Sequence, residues 1–144
     1  MANDNIKRIL IVDDEKEVRE SLKTILERKG FEVVISEDGE DALKKVKNTG
    51  TNIVICDIVM PKIDGIEFLK KARSYNLSIQ IIMITGYSTM ERCVEAIENG
   101  ACGYLRKPFL IEDVVKNIER AQRNIQERMD MIKEALSTKY NNIA

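Results

Sequence analysis

Five short apolar runs, separated by stretches with helical spacing of apolar residues, set the rhythm of this 144-residue chain. Arg8–Asp13, Phe31–Ser36, Asn52–Asp57, Ile79–Ile84 and Gly103–Arg106 read as strands. Ile and Val dominate the first four, as in a parallel sheet covered on both faces. Between them, Val18, Leu22, Ile25 and Leu26 form one helical stripe, and Ala42, Leu43 and Val46 a shorter one. Ile66 and Leu69 follow Asp64-Gly65, and Val94, Ala96 and Ile97 precede Asn99-Gly100, a helix stop. The strand ends recur every 21 to 27 residues or so, without repeated sequence. Parallel strands need such crossovers, so the pattern predicts a doubly wound α/β domain with a five-stranded parallel sheet, (βα)5.

The last helix breaks the rhythm. It is expected to start near Ile111 and run to about Leu136, beyond the end of the sheet. Ile111, Ile118, Ile125 and Ile132 recur every seven residues, and Val115, Gln122, Met129 and Leu136 lie four residues after each. This is a coiled-coil-like seam with one polar layer at Gln122. Its first turns are expected to pack on the sheet, leaving the remainder for self-association or a signalling linker.

Composition narrows the possibilities. Apolar residues make up 44% and charged residues 33%, which argues against disorder. No apolar run approaches the roughly 20 residues of a spanning helix, and no secretory leader is expected, so the reading is cytoplasmic with no membrane partner. The 23 basic and 24 acidic residues are nearly balanced, so nucleic acid is not an expected partner. Cys56, Cys93 and Cys102 form no CxxC pair and read as small buried thiols. There is no histidine, which removes His-based catalysis, His zinc sites and phosphohistidine chemistry from within the chain.

Candidate chemistry collects at strand ends. Asp13 and Asp14 follow the first strand and Asp57 ends the third. Sites in open α/β sheets form outside the carboxyl ends of strands, where strand order reverses. If the first and third strands are neighbours there, the three carboxylates converge, repel and raise one another's pKa. A hard cation resolves that conflict, and Mg2+ suits a site with few protein oxygens and room for water. Thr85 and Lys107 follow the fourth and fifth strands. A hydroxyl and an ammonium beside a metal-bound Asp suit a phosphoryl group, with Asp57 as nucleophile. Singly, each residue has an ordinary reading: Asp14, for example, as the cap of a helix starting at Glu15. Their occurrence together, at successive strand ends, favours the site.

Residues 9–15 (ILIVDDE), 37–43 (EDGEDAL), 56–65 (CDIVMPKIDG), 81–87 (IIMITGY) and 103–109 (GYLRKPF) resemble the receiver domain of bacterial two-component response regulators. The resemblance covers residues 6–119, leaving 120–144 as a helical extension that serves as linker or dimerisation segment. It implies the flavodoxin-like strand order 2-1-3-4-5 of chemotaxis receivers. By the same resemblance Asp57 is the phosphoacceptor. Asp14 and Asp57 ligate Mg2+ directly with the Val59 backbone carbonyl, and Asp13 acts through water. Lys107 binds the phosphoryl group, followed by a cis bond to Pro108, and Thr85 and Tyr104 form a switch pair. Val59 and Tyr87 stand where the best-known chemotaxis receivers carry a polar residue and an acid, so both are expected to modulate the phosphorylated lifetime.

The function implied is a phosphorylation-dependent switch that catalyses only its own phosphorylation and dephosphorylation. The donor is a histidine kinase in trans. A homodimer is expected through the face of the fourth helix and fifth strand, or through the C-terminal helix. The alternative is an Asp-nucleophile phosphohydrolase of haloacid-dehalogenase type. That class places a second acid two residues after the nucleophile, where this chain has Val59.

Overall fold

Five strands and six helices alternate along the chain in a computed structural model that describes residues 4–86 and 89–143. The order is α1 (Asp4–Lys7), β1 (Arg8–Val12), α2 (Lys16–Arg28), β2 (Glu32–Ser36), α3 (Gly39–Thr49) and β3 (Ile53–Asp57), followed by α4 (Gly65–Tyr75), β4 (Gln80–Thr85), α5 (Met90–Glu98), β5 (Gly103–Arg106) and α6 (Ile111–Ile143). All neighbouring strands are parallel, in the order β2-β1-β3-β4-β5. The chain winds outward from β1 in both directions, and the order reverses between β1 and β3. The single turn α1 was not foreseen; it leads directly into β1.

Side-chain alternation along the strands divides the interior in two. Leu10, Val12, Val54, Cys56, Ile81 and Met83 face one side and pack against Ala42 and Val46 of α3, Leu69 and Ala72 of α4, and Ala96 of α5. Ile9, Ile11, Ile53, Ile55, Ile82, Ile84 and Leu105 face the other, against Leu22 and Leu26 of α2 and Val114, Ile118, Ala121 and Ile125 of α6. Every residue of β3 is buried, which explains why the central runs are apolar throughout instead of alternating. Cys56 and Cys93 are buried as expected, whereas Cys102 is only partly covered.

Helix α6 departs from its expected seam. A helix on a sheet buries a stripe near the 3.6-residue period, and here that stripe is Val114, Ile118, Ala121 and Ile125. The heptad isoleucines at 118 and 125 lie within it, but Val115 is displaced to its edge by Val114. Gln122 is not an open polar layer: its Nε2 donates to the Ile6 carbonyl at 3.0 Å and ties the helix to the N-terminus. The helix also runs on to Ile143, past Leu136, because no glycine or proline follows Pro108 to stop it. Beyond Met129 the apolar side chains of Met131, Ile132, Leu136 and Tyr140 are exposed.

Candidate functional site

The parallel register determines what meets at the carboxyl edge. Val12 pairs with Cys56, so Asp13 and Asp57 emerge side by side at the point where strand order reverses. The Asp13 N–H donates to the Ser36 carbonyl at 3.1 Å, and Arg19 Nη1 donates to the Asp13 carbonyl at 2.8 Å. Asp57 pairs with Ile84, so Thr85 follows immediately beside it, and the Lys107 N–H donates to the Thr85 carbonyl at 2.8 Å. The peptide bond from Lys107 to Pro108 is cis, as expected.

Lys107 reaches back over the sheet end to three carboxylates. Its Nζ lies 3.1 Å from Asp13 Oδ2, 3.1 Å from Asp57 Oδ2 and 3.3 Å from Glu15 Oε1. The other oxygens of the two buried acids are also held: Asp13 Oδ1 accepts the Glu15 N–H at 2.9 Å, and Asp57 Oδ1 accepts the Val59 N–H at 3.1 Å. Asp13 is fully buried, Asp57 nearly so, and Asp14 is exposed at the rim.

One ammonium does not balance this many carboxylates. Burial pushes the Asp13 carboxyl up to about 6; the Asp57 charge adds to the rise, and the bond from Glu15 N–H and the ammonium of Lys107 oppose it. Burial works to lower Lys107, but its bonds to Asp13 and Asp57 outweigh that and hold the ammonium above its ordinary range. The lysine rises because it has several anions, whereas for Asp13 a share of one lysine does not offset burial.

Carboxylate oxygens of Asp13, Asp14, Glu15 and Asp57 lie within 4.8 Å of one another. The donor set is all hard oxygen and in excess of negative charge, which fits a divalent cation of the Mg2+ type. A cavity of about 500 Å3 opens beside it, lined by Asp14, Glu15, Asp57, Val59, Thr85, Gly86, Lys107 and Pro108. It has room for an anionic group together with water.

Of the residues singled out in the sequence, Asp13, Asp14, Asp57, Thr85, Lys107 and Val59 are therefore brought together. Tyr104 is not in the cavity: it is half-buried against the α3–α5 side of the core. Tyr104 pairs with Met83, two residues before Thr85, so Tyr104 and Thr85 share one face of the sheet. Tyr87 lies outside the described residues. The capping role considered for Asp14 is not what forms, because α2 begins at Lys16 with Glu15 at its cap. The sequence places Glu15 as the first residue of a helix, yet its side chain joins the carboxylate cluster; its signal is the unbroken acidic run Asp13-Asp14-Glu15.

An open parallel sheet with four carboxylates and one lysine at its switch point defines a doubly wound α/β protein whose acidic cluster could hold a metal ion. The profile of the response regulator receiver domain matches residues 9–119. The chain is 36% identical over 137 residues to the regulatory protein AtoC of Escherichia coli, covering 94% of this chain and 30% of AtoC. It is 37% identical over 117 residues to PhoP, the alkaline phosphatase synthesis transcriptional regulatory protein of Bacillus subtilis, covering 81% and 49% of the two chains. A CheY-like receiver domain from Methanospirillum hungatei superposes with a TM-score of 0.81 at 35% identity, over 85% of this chain and 98% of that one. This chain belongs to the response regulator receiver family. The match spans 30% and 49% of the lengths of these two curated relatives. Nothing in these similarities supports a haloacid-dehalogenase phosphohydrolase.

Proposed function

We propose that Asp57 accepts a phosphoryl group from a phosphohistidine on a kinase acting in trans, and that the change is transmitted through Thr85 and Tyr104. An Asp57 carboxylate oxygen bonds to phosphorus as the donor's P–N bond breaks, and the imidazole leaves with the electron pair. Lys107 neutralises the phosphoryl oxygens, and Thr85 donates a hydrogen bond to them. The Val59 N–H keeps the carboxylate of Asp57 oriented. Asp14, Asp57 and the Val59 carbonyl would hold Mg2+, with Asp13 and Glu15 beside them; a bound cation would supply further neutralisation of the incoming charge. The observation that carries this reading is the single lysine shared between buried Asp13 and Asp57.

Residues 6–119 form the receiver unit in this reading and 120–144 its extension, with Ala121 and Ile125 still seated on the sheet. Association into a homodimer uses either the exposed α5 stripe of Met90, Val94 and Ile97 beside β5, or the outer half of α6. A neighbour at 33% identity and TM-score 0.79, the beryllofluoride-activated NtrC4 receiver domain, is itself a dimer in solution. The protein acts in the cytoplasm without contacting DNA through these residues, and among the described residues no helix is long and apolar enough to cross a membrane.

Incubation with acetyl phosphate tests the assignment. One acid-labile phosphate per chain, dependent on Mg2+ and absent from Asp57→Asn, is expected. Undiminished labelling of Asp57→Asn, or continuous turnover of small phosphate esters, overturns it.

A further inference from the structure

The loop between Asp57 and α4 is tied along its length: the Ile58 N–H donates to the Ile84 carbonyl at 3.1 Å, the Val59 N–H to Asp57 Oδ1 at 3.1 Å and Arg92 Nη2 to Asp64 Oδ2 at 2.8 Å, and two further ties lie at its base and its far end. At its base the Gly65 N–H donates to the Ile58 carbonyl at 2.7 Å. Position 65 must be glycine there, because a Cβ would collide with the Asp57 carbonyl oxygen and come within 2.8 Å of Ile58 Cα. At its far end the loop touches the turn before α3. Lys62 Nζ lies 3.1 Å from Asp38 Oδ2, and Ile63 packs so close to Gly39 that a Cβ on Gly39 would sit 2.5 Å from Ile63 Cγ1.

Two features mark the far tie as more than a surface ion pair. Lys62 is the one non-glycine with positive φ among the described residues, at 68°. A lysine has no intrinsic preference for that conformation, so its surroundings hold it. Asp38 is a buried carboxylate with both oxygens engaged, since Oδ1 also accepts the Asp41 N–H at 2.8 Å and caps α3. The turn that carries Asp38 is anchored to the acidic site: the Ser36 carbonyl takes the Asp13 N–H, and Ser36 Oγ, which donates to Asp41 Oδ2 at 2.5 Å, lies 3.1 Å from the Asp38 carbonyl.

We propose that Asp38 and Lys62 are a positioning pair. Together they hold the Asp57–Asp64 loop against the turn beside Asp13, and so keep Val59 in register with Asp57. Neither side chain touches the cation or the phosphoryl group; both act through the placement of the Val59 backbone. The inference rests on the Mg2+ and phosphoacceptor reading given above, and it adds residues from two loops that the acidic cluster does not contain.

The sign of one substitution separates positioning from charge. Asn tolerates positive φ but is too short to reach Asp38, so Lys62→Asn breaks the pair without new backbone strain. By Coulomb's law alone, deleting a cation near the acidic site strengthens Mg2+ binding. Loss of positioning weakens it. Asp38→Ser removes the carboxylate while a hydroxyl remains to cap α3.

The experiment is a Mg2+ titration followed by the amide resonances of residues 57 to 59, with thermal unfolding recorded in parallel. Lys62→Asn and Asp38→Ser are each expected to weaken Mg2+ by roughly tenfold and to shift the Val59 amide before any metal is added. The double variant should be no weaker than the poorer single variant, and Lys62→Arg should restore wild-type affinity. Tighter or unchanged Mg2+ binding by Lys62→Asn, or independent effects in the double variant, overturns the pair. A wild-type protein that does not bind Mg2+ at all overturns the reading beneath it instead.

Discussion

Lys107 is the side chain on which the unliganded site most depends. It is 18% exposed and stands between carboxylates that are 0% and 7% exposed. Removing one partner of a buried ion pair leaves uncompensated charge behind. Lys107→Ala is therefore expected to destabilise the metal-free protein by about 3 kcal/mol, read by denaturant unfolding. Added Mg2+ should recover much of the loss, because a cation then supplies the missing charge; equal destabilisation with and without Mg2+ would contradict this. Val59 gives a second prediction. It is 58% exposed on the rim of the cavity and offers no side-chain hydrogen bond to a water approaching Asp57. Val59→Asn should shorten the lifetime of phosphorylated Asp57 several-fold at constant Mg2+, as followed by decay of the acid-labile label. An unchanged lifetime would show that position 59 does not guide the water. That Asp13, Asp14, Asp57, Thr85 and Lys107 meet was legible because strand ends are visible in an apolar pattern, and each residue sits at or just after one. Glu15 was not, since a one-residue difference in where α2 begins decides whether its side chain belongs to a helix or to the site.

Two of the helices are secured at their starts by acids. Asp38 and Asp64 cap α3 and α4 through the backbone N–H groups of Asp41 and Glu67. The Asp41 N–H, followed by Lys62, holds the Asp38 carboxyl below its ordinary range. Burial pushes Asp64 upward, but the Glu67 N–H and Arg92, 2.8 Å away, outweigh it and leave that carboxyl lowered as well. A lowered folded-state pKa stabilises the ionised form. Its contribution is complete above the unfolded value of about 3.9 and is lost as pH falls through the folded value. The thermal midpoint should therefore hold between about pH 5 and 7 as far as these two groups are concerned, and decline below about 4. Asp38→Ala should lower stability by about 1 kcal/mol at neutral pH and weaken that acid dependence. A variant with the full wild-type acid response would show that the cap contributes nothing. The start of α4 was visible as the Asp64-Gly65 pair ahead of a helical stripe. The end of α6 was not, because sequence marks a helix end by a breaker, and none is present after Pro108.

For the molecule as a whole, periodicity predicted five parallel strands, but their spatial order came only from the family resemblance. Nothing local distinguishes β1 beside β3 from other arrangements; the order is a property of crossovers. The heptad on α6 was equally ambiguous, because seven-residue spacing serves a sheet for two turns and a second helix thereafter. Ile118 and Ile125 are buried within the domain, so a truncation at Glu119 would remove core residues Ala121 and Ile125 and unsettle the fold. Substitution is the cleaner test of self-association. If the outer seam carries it, Ile132→Lys with Leu136→Lys should convert a dimer to a monomer in light scattering while the thermal midpoint stays unchanged. If the α5 stripe carries it, Met90→Lys with Ile97→Lys should do so instead. Retention of the dimer by all four substitutions together would exclude both surfaces.

The half-embedded geometry of α6 also has a mechanical consequence. From Met129, the last residue of the helix packed against the core, to Ile143 is 14 residues of uninterrupted helix, a rod of about 21 Å. With no glycine or proline along it, the rod has no joint in which to absorb motion. A tilt of about 10° where it leaves the domain would carry its tip about 4 Å, and a rotation about its axis would arrive undiminished. Small rearrangements at the sheet are thus geared up into displacements on the scale of a side chain at the far end.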